Sequence, residues 1–279
     1  MEQKRFKCVF TDLDKTLLAS GSILTDYTKE TIDMLISRGI DFVPSSGRAF
    51  NSLPKELLKI QGLKYAVTSN GVSVNEIKSG TPVSTMRIPE TALRQIVKIA
   101  AEHKVCTEIF VNGQGYCTRE YWNDPTIAGK NISERKIYVQ ATRIPLDNYD
   151  SFVMNNIANT EAFDLIANPD IASELEIELR RKFSGVYITH SENFLIEISN
   201  IDSGKHRGME RCCRILGITP KECIAFGDAS NDMEMIQMAG LGIAVANATP
   251  ECKSAADFVS EFTNNQDAVA KELRRIFSL

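Results

Sequence analysis

Two acidic clusters, each placed directly after an apolar stretch, constrain this chain more than any other feature of its sequence. The apolar run CVF is followed by Asp12 and Asp14, and the run CIAFG is followed by Asp228 and Asp232. A buried carboxylate is tolerated only when it is paired or binds a cation. For the first cluster alone, a solvated turn with a local cap at Asp14 is the alternative. The second cluster, more than two hundred residues further on, favours a shared site.

The order of predicted elements indicates an α/β fold with a Rossmann-like parallel sheet. Apolar strand-like runs alternate with amphipathic helical stretches in the first and last parts of the chain. This alternation implies parallel pairing with right-handed crossovers. The predicted strands are 8–10, 40–43 and 65–68 in the first part, and 193–198, 222–226, 242–245 and 257–259 in the last.

The middle of the chain interrupts this alternation. The stretch KSGTPVST at 78–85 is followed by shorter helical and strand-like segments that continue to about residue 189. Because these segments have their own apolar content, they predict an inserted α+β domain with an open antiparallel sheet and helices on one face. The expected organisation is a discontinuous core, residues 1–83 and 190–279, with an insertion of residues 84–189.

Composition limits the classes of partner and the compartment. The chain has 279 residues and a formal net charge of -4, so it has no global basic footprint and no nucleic-acid partner is expected. No apolar run reaches the length of about 18 residues that a membrane span needs, and the first residues lack the apolar segment of a signal peptide. Seven cysteines without CxxC spacing fit a reducing compartment, which makes the cytoplasm the predicted location.

The predicted strand ends define a candidate metal site. In an open parallel sheet, ligands bind beyond the carboxyl ends of the strands, where Asp12, Asp14, Asp228 and Asp232 are expected. Two carboxylates about 4 Å apart repel each other by about 4 kcal/mol at an effective dielectric near 20. A divalent cation relieves this repulsion, and an all-oxygen set without His or Cys favours Mg²⁺.

Other groups at the same predicted edge suit a phosphate. Magnesium keeps coordination positions for water and a phosphate oxygen. The hydroxyl of Ser46, the backbone N–H of Gly47, and the side chains of Lys205 and Asn231 are placed to bind the remaining phosphate oxygens by charge and hydrogen bonds. An ordinary surface position is the alternative for Lys205. For Arg48, the sequence is compatible with two roles, a substrate contact and a salt bridge between the domains.

Four stretches carry a resemblance to a known family. In chain order, DLDKT, SSGR, SGKHRGM and GDASND resemble the four motifs of the haloacid dehalogenase superfamily of phosphotransferases. The order of parts is similar to the Cof-type subfamily, which has a Rossmann-like core and an α+β cap inserted between the second and third motifs. The resemblance covers essentially the whole chain, and the first and fourth motifs are its most specific parts.

The resemblance implies roles for the acidic residues. Asp12 matches the nucleophile that forms an aspartyl-phosphate, and Asp14 matches the general acid and base. Asp12, the backbone carbonyl of Asp14, and Asp228 match the Mg²⁺ ligands, with Asp232 as an indirect or water-mediated partner. The first motif usually has Gly where this chain has Lys15.

The resemblance also implies the phosphate contacts and the activity. Ser46 matches the phosphate-binding hydroxyl, Lys205 the charge-neutralising lysine, and Asn231 a phosphate contact or an orienter of that lysine. The implied function is a Mg²⁺-dependent phosphatase for small phosphorylated metabolites, with sugar phosphates as the leading candidates. A phosphomutase that depends on a bisphosphate activator is one alternative, and a non-catalytic regulator that binds phosphometabolites is another. The presence of both Asp12 and Asp14 argues against the regulator, and the oligomeric state is not predicted.

Overall fold

The computed structural model describes residues 6–125 and 132–279. The chain divides into two compact units, called here the core unit and the inserted unit. The core unit comprises Met1–Arg48, Leu53–Ser84 and Lys205–Leu279, and the inserted unit comprises Ala49–Ser52 and Thr85–Gly204. Within the described residues, none of the helices combines the length and the apolar character required to cross a bilayer.

Short strands and helices alternate along most of the described chain. The strands are β1 (Cys8–Thr11), β2 (Asp41–Pro44), β3 (Tyr65–Thr68), β4 (Ser73–Glu76), β5 (Thr81–Thr85), β6 (Cys106–Val111), β7 (Gln114–Thr118), β8 (Arg143–Leu146), β9 (Thr160–Ile166), β10 (Val186–Thr189), β11 (Leu195–Asn200), β12 (Cys223–Gly227), β13 (Leu241–Ala244) and β14 (Phe258–Val259). The helices are α1 (Asp26–Ser37), α2 (Lys55–Leu58), α3 (Glu90–Glu102), α4 (Arg119–Asn123), α5 (Ile132–Thr142), α6 (Tyr149–Asn156), α7 (Pro169–Lys182), α8 (Lys205–Leu216), α9 (Met233–Met238), α10 (Pro250–Ala255) and α11 (Ala268–Phe277).

The core unit is built on a five-stranded parallel sheet, which confirms the predicted fold class. Its strand order is β14-β13-β12-β1-β2, with β1 between β12 and β2. Every residue of β1 and β12 is buried, as expected for parallel strands that are covered on both faces. Thr11 lies opposite both Phe226 and Pro44, so the carboxyl ends of three neighbouring strands reach the same edge.

One predicted parallel strand belongs to another sheet. Strand β3 pairs antiparallel with β4 in a three-stranded sheet, and it keeps the predicted parallel relation to the core sheet only through a parallel bridge between Ser45 and Val67. The turn that follows β3 contains Ser69, Asn70 and Gly71, with φ values of 50°, 51° and 81°. This left-handed run reverses the chain into β4, which then pairs with β3.

Helices α1 and α8 carry local signals that can be read in the sequence. Thr25 caps α1 by accepting the N–H of Thr28, and Gly39, at a φ of 76°, follows its last turn. The buried side chains of α8 pack against β12 and include Met209, Cys212 and Cys213, whose spacing is that of one helix face. All seven cysteines fall within the described residues and carry free thiols.

The inserted unit contains a six-stranded sheet with the order β10-β11-β9-β6-β7-β8. Neighbouring strands are antiparallel except for β7 and β8, which pair in parallel. The predicted return to the core at residue 190 is therefore wrong for β11, which pairs with β9 and β10. In β11, Ile196 and Ile198 join an apolar core while Glu197 alternates with them. Such alternation is typical of an antiparallel strand, whereas a parallel core strand is apolar throughout.

Helices pack on both faces of this sheet, although the sequence predicted helices on one face. Side chains of α3, α6 and α7 share an apolar core with one face of the strands. On the other side, Tyr121 of α4 and Val139 of α5 pack against Ile166 and Leu195. Local periodicity shows which helix face is apolar, but it does not say which face of a sheet the helix covers.

Candidate active site

Three aspartates converge where β1 and β12 end. Asp12 follows β1, Asp228 follows β12, and Asp232 ends a short 3₁₀ turn after β12. One carboxylate oxygen from each lies within 4.8 Å of the other two, and all three residues are buried. The N–H of Asp12 donates to the carbonyl of Phe226 at 3.0 Å, so the parallel pairing continues to the site. The expected convergence of these aspartates is therefore present in the core unit.

Lys205, the first residue of α8, lies inside this cluster. Its Nζ donates to Oδ1 of Asp12 and to Oδ1 of Asp232, both at 2.6 Å, and its side chain is 1% exposed. Burial lowers the pKa of Lys205, but the two carboxylates outweigh burial and hold that pKa above its usual value. The lysine therefore stays charged, and the alternative of an ordinary surface lysine is excluded.

Asp232 holds Lys205 and the loop after β12 in place. Its Oδ1 accepts from Lys205, while its Oδ2 accepts the backbone N–H groups of Asp228 at 3.0 Å and Ala229 at 3.1 Å. A Cβ on Gly227 would lie 2.3 Å from the Cβ of Asp232, which explains the glycine in the motif. Since both of its oxygens are engaged, Asp232 holds the loop and Lys205 more directly than it can hold a ligand.

Thr16 is a site residue that the sequence interpretation missed. Its Oγ1 donates to Oδ1 of Asp228 at 2.8 Å, across 212 residues of chain. Burial and the charge of Asp232 raise the pKa of Asp228 to about 6, and the hydrogen bond from Thr16 opposes this rise. The position of Thr16 in DLDKT, four residues after Asp12 on the same loop, is the signal that points to it.

Asp12 experiences the same excess of negative charge. Burial raises the pKa of Asp12 well above its usual range, the charges of Asp232 and Asp228 add to this rise, and Lys205 opposes it. Among the ion pairs of the described residues, Lys205 pairs directly with two of the three buried carboxylates, while Lys15 acts on Asp228 only through its charge. The donor set is all oxygen and carries excess negative charge, so it suits a hard divalent cation such as Mg²⁺.

Asp14 is held by an arginine. Arg48 donates from Nε to Oδ2 of Asp14 at 2.7 Å and from Nη2 to Oδ1 at 2.6 Å. The same Nη2 donates to Oγ of Ser22 at 2.7 Å. All three residues belong to the core unit, so this ion pair is not the salt bridge between domains that the sequence left open.

The loop after β2 carries Ser46 and Gly47. Ser46 is buried, its N–H donates to the carbonyl of Val67 at 2.9 Å, and its Oγ accepts the N–H of Arg48 at 3.1 Å. Gly47 lies between these two residues and is half-buried. The register of β1 with β2 brings this loop to the same edge as Asp12.

Asn231 has a partner that the sequence interpretation did not name. Its Nδ2 donates to Oδ1 of Asn70 at 3.0 Å, and Asn70 belongs to the left-handed turn after β3. Within the described residues, Oδ1 of Asn231 is buried and accepts no hydrogen bond. A buried acceptor without a donor is costly, so this atom is suited to a ligand or to a metal-bound water. The pair Asn70-Gly71 is a turn signal in the sequence, but such a signal does not predict this contact.

Lys15 has the backbone conformation that explains the glycine usual at its position. Its φ is 63°, in the left-handed region that favours glycine, and its carbonyl accepts from Nδ2 of Asn247 at 2.7 Å. The departure from the motif is therefore tolerated at a cost in backbone strain.

Comparisons with known proteins cover nearly the whole chain. Residues 9–273 match the model of the haloacid dehalogenase-like hydrolases. A putative phosphatase of Haemophilus influenzae is 27% identical over 273 residues, covering 98% of each chain. The 5-amino-6-(5-phospho-D-ribitylamino)uracil phosphatase of Bacillus subtilis is 25% identical over 285 residues, covering 100% of each chain.

A solved structure gives the same fold along the whole chain. A sugar phosphatase of subclass IIB of the haloacid dehalogenase superfamily has a TM-score of 0.80 and 17% identity. The match covers 98% of this chain and 100% of that chain. At this identity the likeness concerns the fold.

Proposed function

The chain belongs to the haloacid dehalogenase-like hydrolase family, and we propose that it is a Mg²⁺-dependent phosphatase for small phosphorylated metabolites. The family match and the putative phosphatases among its relatives support a phosphoric monoester hydrolase. The observation that carries the proposal is the buried cluster of Asp12, Asp228 and Asp232, in which Lys205 compensates only part of the negative charge.

Mg²⁺ would be held by Asp12 and Asp228, with the backbone carbonyl of Asp14 as a further ligand. Asp232 acts indirectly, because its oxygens are occupied by Lys205 and by two backbone N–H groups. When bound, Mg²⁺ supplies positive charge to the phosphoryl oxygens and to the two carboxylates that hold it.

Asp12 acts as the nucleophile. Its carboxylate oxygen forms a bond to phosphorus while the ester P–O bond breaks, and Asp14 donates a proton to the departing oxygen. Asp14 then takes a proton from a water molecule that attacks the aspartyl-phosphate, and the bond between Asp12 and phosphorus breaks. Inorganic phosphate leaves and both aspartates return to their starting states.

The phosphoryl oxygens are bound by groups around the same edge. Ser46 offers its hydroxyl, Gly47 its backbone N–H, and Lys205 its charge, while Asn231 is held at the site by Asn70. These groups place the phosphorus in line with Asp12, and fixed charges of this kind supply most of the rate in phosphoryl transfer.

The proposed substrates are sugar phosphates or related phosphate esters of polyols. One curated relative is named for a phospho-ribitylamino compound, and one structural neighbour is described as a sugar phosphatase. In this proposal the core unit is the catalytic domain and the inserted unit is the cap domain. The cytoplasm is the proposed location, because free cysteines suit a reducing compartment.

The test is phosphate release from 4-nitrophenyl phosphate and from a panel of sugar phosphates. Each is measured with Mg²⁺ and with a chelator, for the native chain and for Asp12→Asn. Asp26→Asn, at an exposed position in the first turn of α1, is the matched control. We expect Mg²⁺-dependent turnover that falls by at least about 10³-fold in Asp12→Asn and is unchanged in the control.

Three other outcomes of this assay would change the assigned nucleophile or the assigned reaction. Turnover that survives in Asp12→Asn assigns the nucleophile to another residue. Absence of turnover on every ester, from folded protein with Mg²⁺, contradicts a phosphatase. Turnover that requires a bisphosphate and yields an isomeric phosphate instead of free phosphate identifies a phosphomutase.

A further inference from the structure

Arg48 is a charged residue of the site to which the mechanism above gives no task. We infer that Arg48 is a positioning residue, which holds the carboxylate of Asp14 in the orientation needed for proton transfer to the leaving group. The inference rests on the proposed function, since it concerns the proton donor of that reaction. It is carried by the geometry of the contact between Arg48 and Asp14.

The contact is bidentate. Two different nitrogens of Arg48 donate to the two oxygens of Asp14, at 2.7 Å and 2.6 Å. A planar guanidinium that holds both oxygens fixes the plane of the carboxylate as well as its distance, which a point charge such as lysine does not do. When Asp14 carries the proton that it donates, the protonated oxygen turns from Arg48 to the leaving group, and the other oxygen keeps its contact with the guanidinium. Ser22 extends the arrangement, because its Oγ accepts from Nη2 of Arg48 and lies 3.5 Å from Oδ1 of Asp14.

Arg48 and Asp14 differ in how much of each side chain is exposed to solvent. The side chain of Arg48 is 6% exposed, whereas that of Asp14 is 42% exposed. A half-exposed aspartate on a turn has several accessible side-chain orientations, and only a carboxylate within hydrogen-bond reach of the leaving oxygen can transfer a proton. The buried partner therefore restrains the exposed one.

The backbone of Arg48 is anchored at both ends of the residue. Its N–H donates to Oγ of Ser46 at 3.1 Å, and its carbonyl accepts the N–H of Ser69 at 2.9 Å. The next residue of that turn, Asn70, donates its N–H to the carbonyl of Ser46 at 3.0 Å. Both Ser69 and Asn70 have left-handed backbones, which persist where surrounding contacts determine them. The guanidinium thus projects from a rigid support.

Two other roles for Arg48 make different predictions. A contact to the substrate phosphate would strengthen the binding of every ester and of inorganic phosphate alike. A purely structural ion pair would affect stability and leave the selectivity between leaving groups unchanged. Positioning of the proton donor has a distinct signature, because it matters only for esters whose leaving group needs a proton.

The experiment compares two esters in kcat/KM, which reports the steps up to the phosphorylation of Asp12. One ester is 2,4-dinitrophenyl phosphate, whose leaving group departs without a proton. The other is the sugar phosphate that ranks first in the panel. The variants are Arg48→Met, Arg48→Lys and Ser22→Ala, with inhibition by inorganic phosphate and thermal unfolding measured for each.

We expect Arg48→Met to lower kcat/KM for the sugar phosphate by about 10²-fold, and for the dinitrophenyl ester by less than about 3-fold. Arg48→Lys keeps the charge without the planar grip and should lie between this variant and the native chain. Ser22→Ala should shift the ratio of the two esters slightly in the same direction. Inhibition by inorganic phosphate should stay within about 3-fold throughout, because no phosphate contact is removed.

The matched control is Arg274→Met in the same unit. Arg274 is also partly buried and paired, with Nε donating to Oγ1 of Thr31 at 2.8 Å, but it does not contact the site aspartates. Its loss tests whether removing any such arginine changes the ratio of the two esters, and we expect no change. If Arg48→Met does not fold, the ratios for Arg48→Lys and Ser22→Ala decide the question.

The positioning role is wrong if Arg48→Met lowers kcat/KM equally for both esters, so that their ratio does not change. Weaker inhibition by inorganic phosphate also overturns this role. That outcome is distinct from a failure of the proposed function. If Asp12→Asn abolishes turnover of both esters while Arg48→Met leaves their ratio unchanged, the phosphatase stands and only the role of Arg48 is lost. If Asp12→Asn turns over both esters, the aspartyl-phosphate mechanism itself is wrong.

Discussion

The two units each contain a buried cluster of three carboxylates, and the cations that pair with the two clusters differ. The core cluster consists of Asp12, Asp228, Asp232 and Lys205. The insert cluster consists of Glu108, Asp164, Glu197, Arg135 and Arg143. One cluster has a single lysine for its three acids, whereas the other has two arginines.

The insert cluster lies on regular secondary structure. Glu108, Asp164 and Glu197 lie opposite one another on the adjacent strands β6, β9 and β11. Arg135 and Arg143 hold Glu108 from both of its oxygens, at 2.8 Å and 2.6 Å. Burial raises the pKa of Glu108, but the two arginines outweigh burial and leave that pKa below its usual range.

The arginines of the insert cluster are also packed on aromatic rings. The guanidinium of Arg143 lies 4.8 Å from the ring centroid of Phe110, and both arginines lie within 6 Å of the ring of Tyr138, at 5.3 Å and 5.5 Å. These contacts join α5 to β8 and β8 to β6. The counter-charges of Glu108 are therefore a permanent part of the fold.

The core cluster lies on loops and leaves its charge unbalanced. Asp12 and Asp228 follow strand ends, and nearby Lys15, Ser69 and Asn70 have left-handed backbones. The excess charge costs stability in the isolated chain, and a bound cation offsets that cost. The comparison teaches that a buried acidic cluster indicates a ligand when the fold does not supply its counter-charges.

The largest expected effect is the loss of stability when an arginine of the insert cluster is removed. Arg143→Met leaves Glu108 and its neighbours short of a buried counter-charge, so we expect the free energy of unfolding to fall by about 3–5 kcal/mol. The chain has one tryptophan, Trp122 in α4, so its fluorescence in a denaturant titration reports on the inserted unit.

Arg119→Met is the matched control for this prediction. Arg119 pairs with Asp147 at the surface, with side chains 49% and 70% exposed, and its loss should leave the free energy of unfolding nearly unchanged, because solvent screens an exposed pair. Equal effects of the two substitutions would contradict the distinction between a buried and an exposed pair. Added Mg²⁺ should not rescue Arg143→Met.

The second expected effect is a gain in stability from Mg²⁺ that depends on the core cluster and not on the insert cluster. At a concentration of about 100 times its Kd, Mg²⁺ should raise the free energy of unfolding by about 2.7 kcal/mol, because it binds only the folded core cluster. Asp228→Asn should abolish the increase, and Asp164→Asn in the insert cluster should keep it. Calorimetry with and without Mg²⁺ measures both, and an increase that survives in Asp228→Asn would place the cation elsewhere.

The third effect is a pH dependence of the insert cluster. Burial and the carboxylates of Glu197 and Glu108 raise the pKa of Asp164 well above its usual range, while Arg143 and Arg135 oppose this rise. The folded chain thus binds a proton that the unfolded chain releases from about pH 4 upward. Stability from this group is full below about pH 4 and is lost as pH rises through the pKa of the folded state.

Asp164→Asn tests this pH dependence. One linked proton changes the free energy of unfolding by at most about 1.4 kcal/mol per pH unit, and a neutral amide removes that slope. The variant should therefore lose less stability than the native chain between pH 4 and pH 8, as followed by Trp122 fluorescence. Asp170→Asn, at an exposed position of α7, should retain the native slope. Parallel pH curves for Asp164→Asn and the native chain would show that Asp164 is not the titrating group.

The smallest effect concerns backbone strain at the core cluster. Lys15→Gly should raise the free energy of unfolding by about 0.5 kcal/mol, since relief of the left-handed conformation exceeds the entropy that glycine loses on folding. Lys15→Ala removes the same long side chain but keeps Cβ, so it should bring no gain. A gain in both variants would assign the effect to the side chain and not to the backbone.

Much of the core unit could be predicted from short stretches of sequence. Strands β1 and β12 are apolar throughout and end in acidic residues, so their burial and their shared edge follow from local pattern and from the rules for parallel sheets. The periodicity of α8 likewise gave its buried face. The inserted unit was harder, because the alternation in β11 indicates an antiparallel strand but does not name its partners, and the position of α4 depends on the sheet face against which it packs.

The residues of the candidate site likewise divide into those that the sequence identified and those whose contacts appear only in the structure. The acidic residues, Ser46 and Lys205 are recognisable from composition and motif, because their chemistry is evident in the residue types themselves. Thr16, Asn70 and Arg48 were not assigned these contacts, since each depends on a partner distant in the chain: 212 residues between Thr16 and Asp228, 161 between Asn70 and Asn231, and 34 between Arg48 and Asp14.

The sequence by itself determined the fold class, the family and the residue types at the edge of the core sheet, because apolar periodicity and acidic motifs act over short stretches of chain. Only the tertiary structure decided that β11 completes the inserted sheet and that Arg48 holds Asp14. It also decided that two arginines pair with one acid of the insert cluster, while one lysine pairs with two acids of the core cluster. The physical reason is that the counter-charge of a buried carboxylate depends on which distant segments the fold brings against it, and a local pattern does not specify those segments.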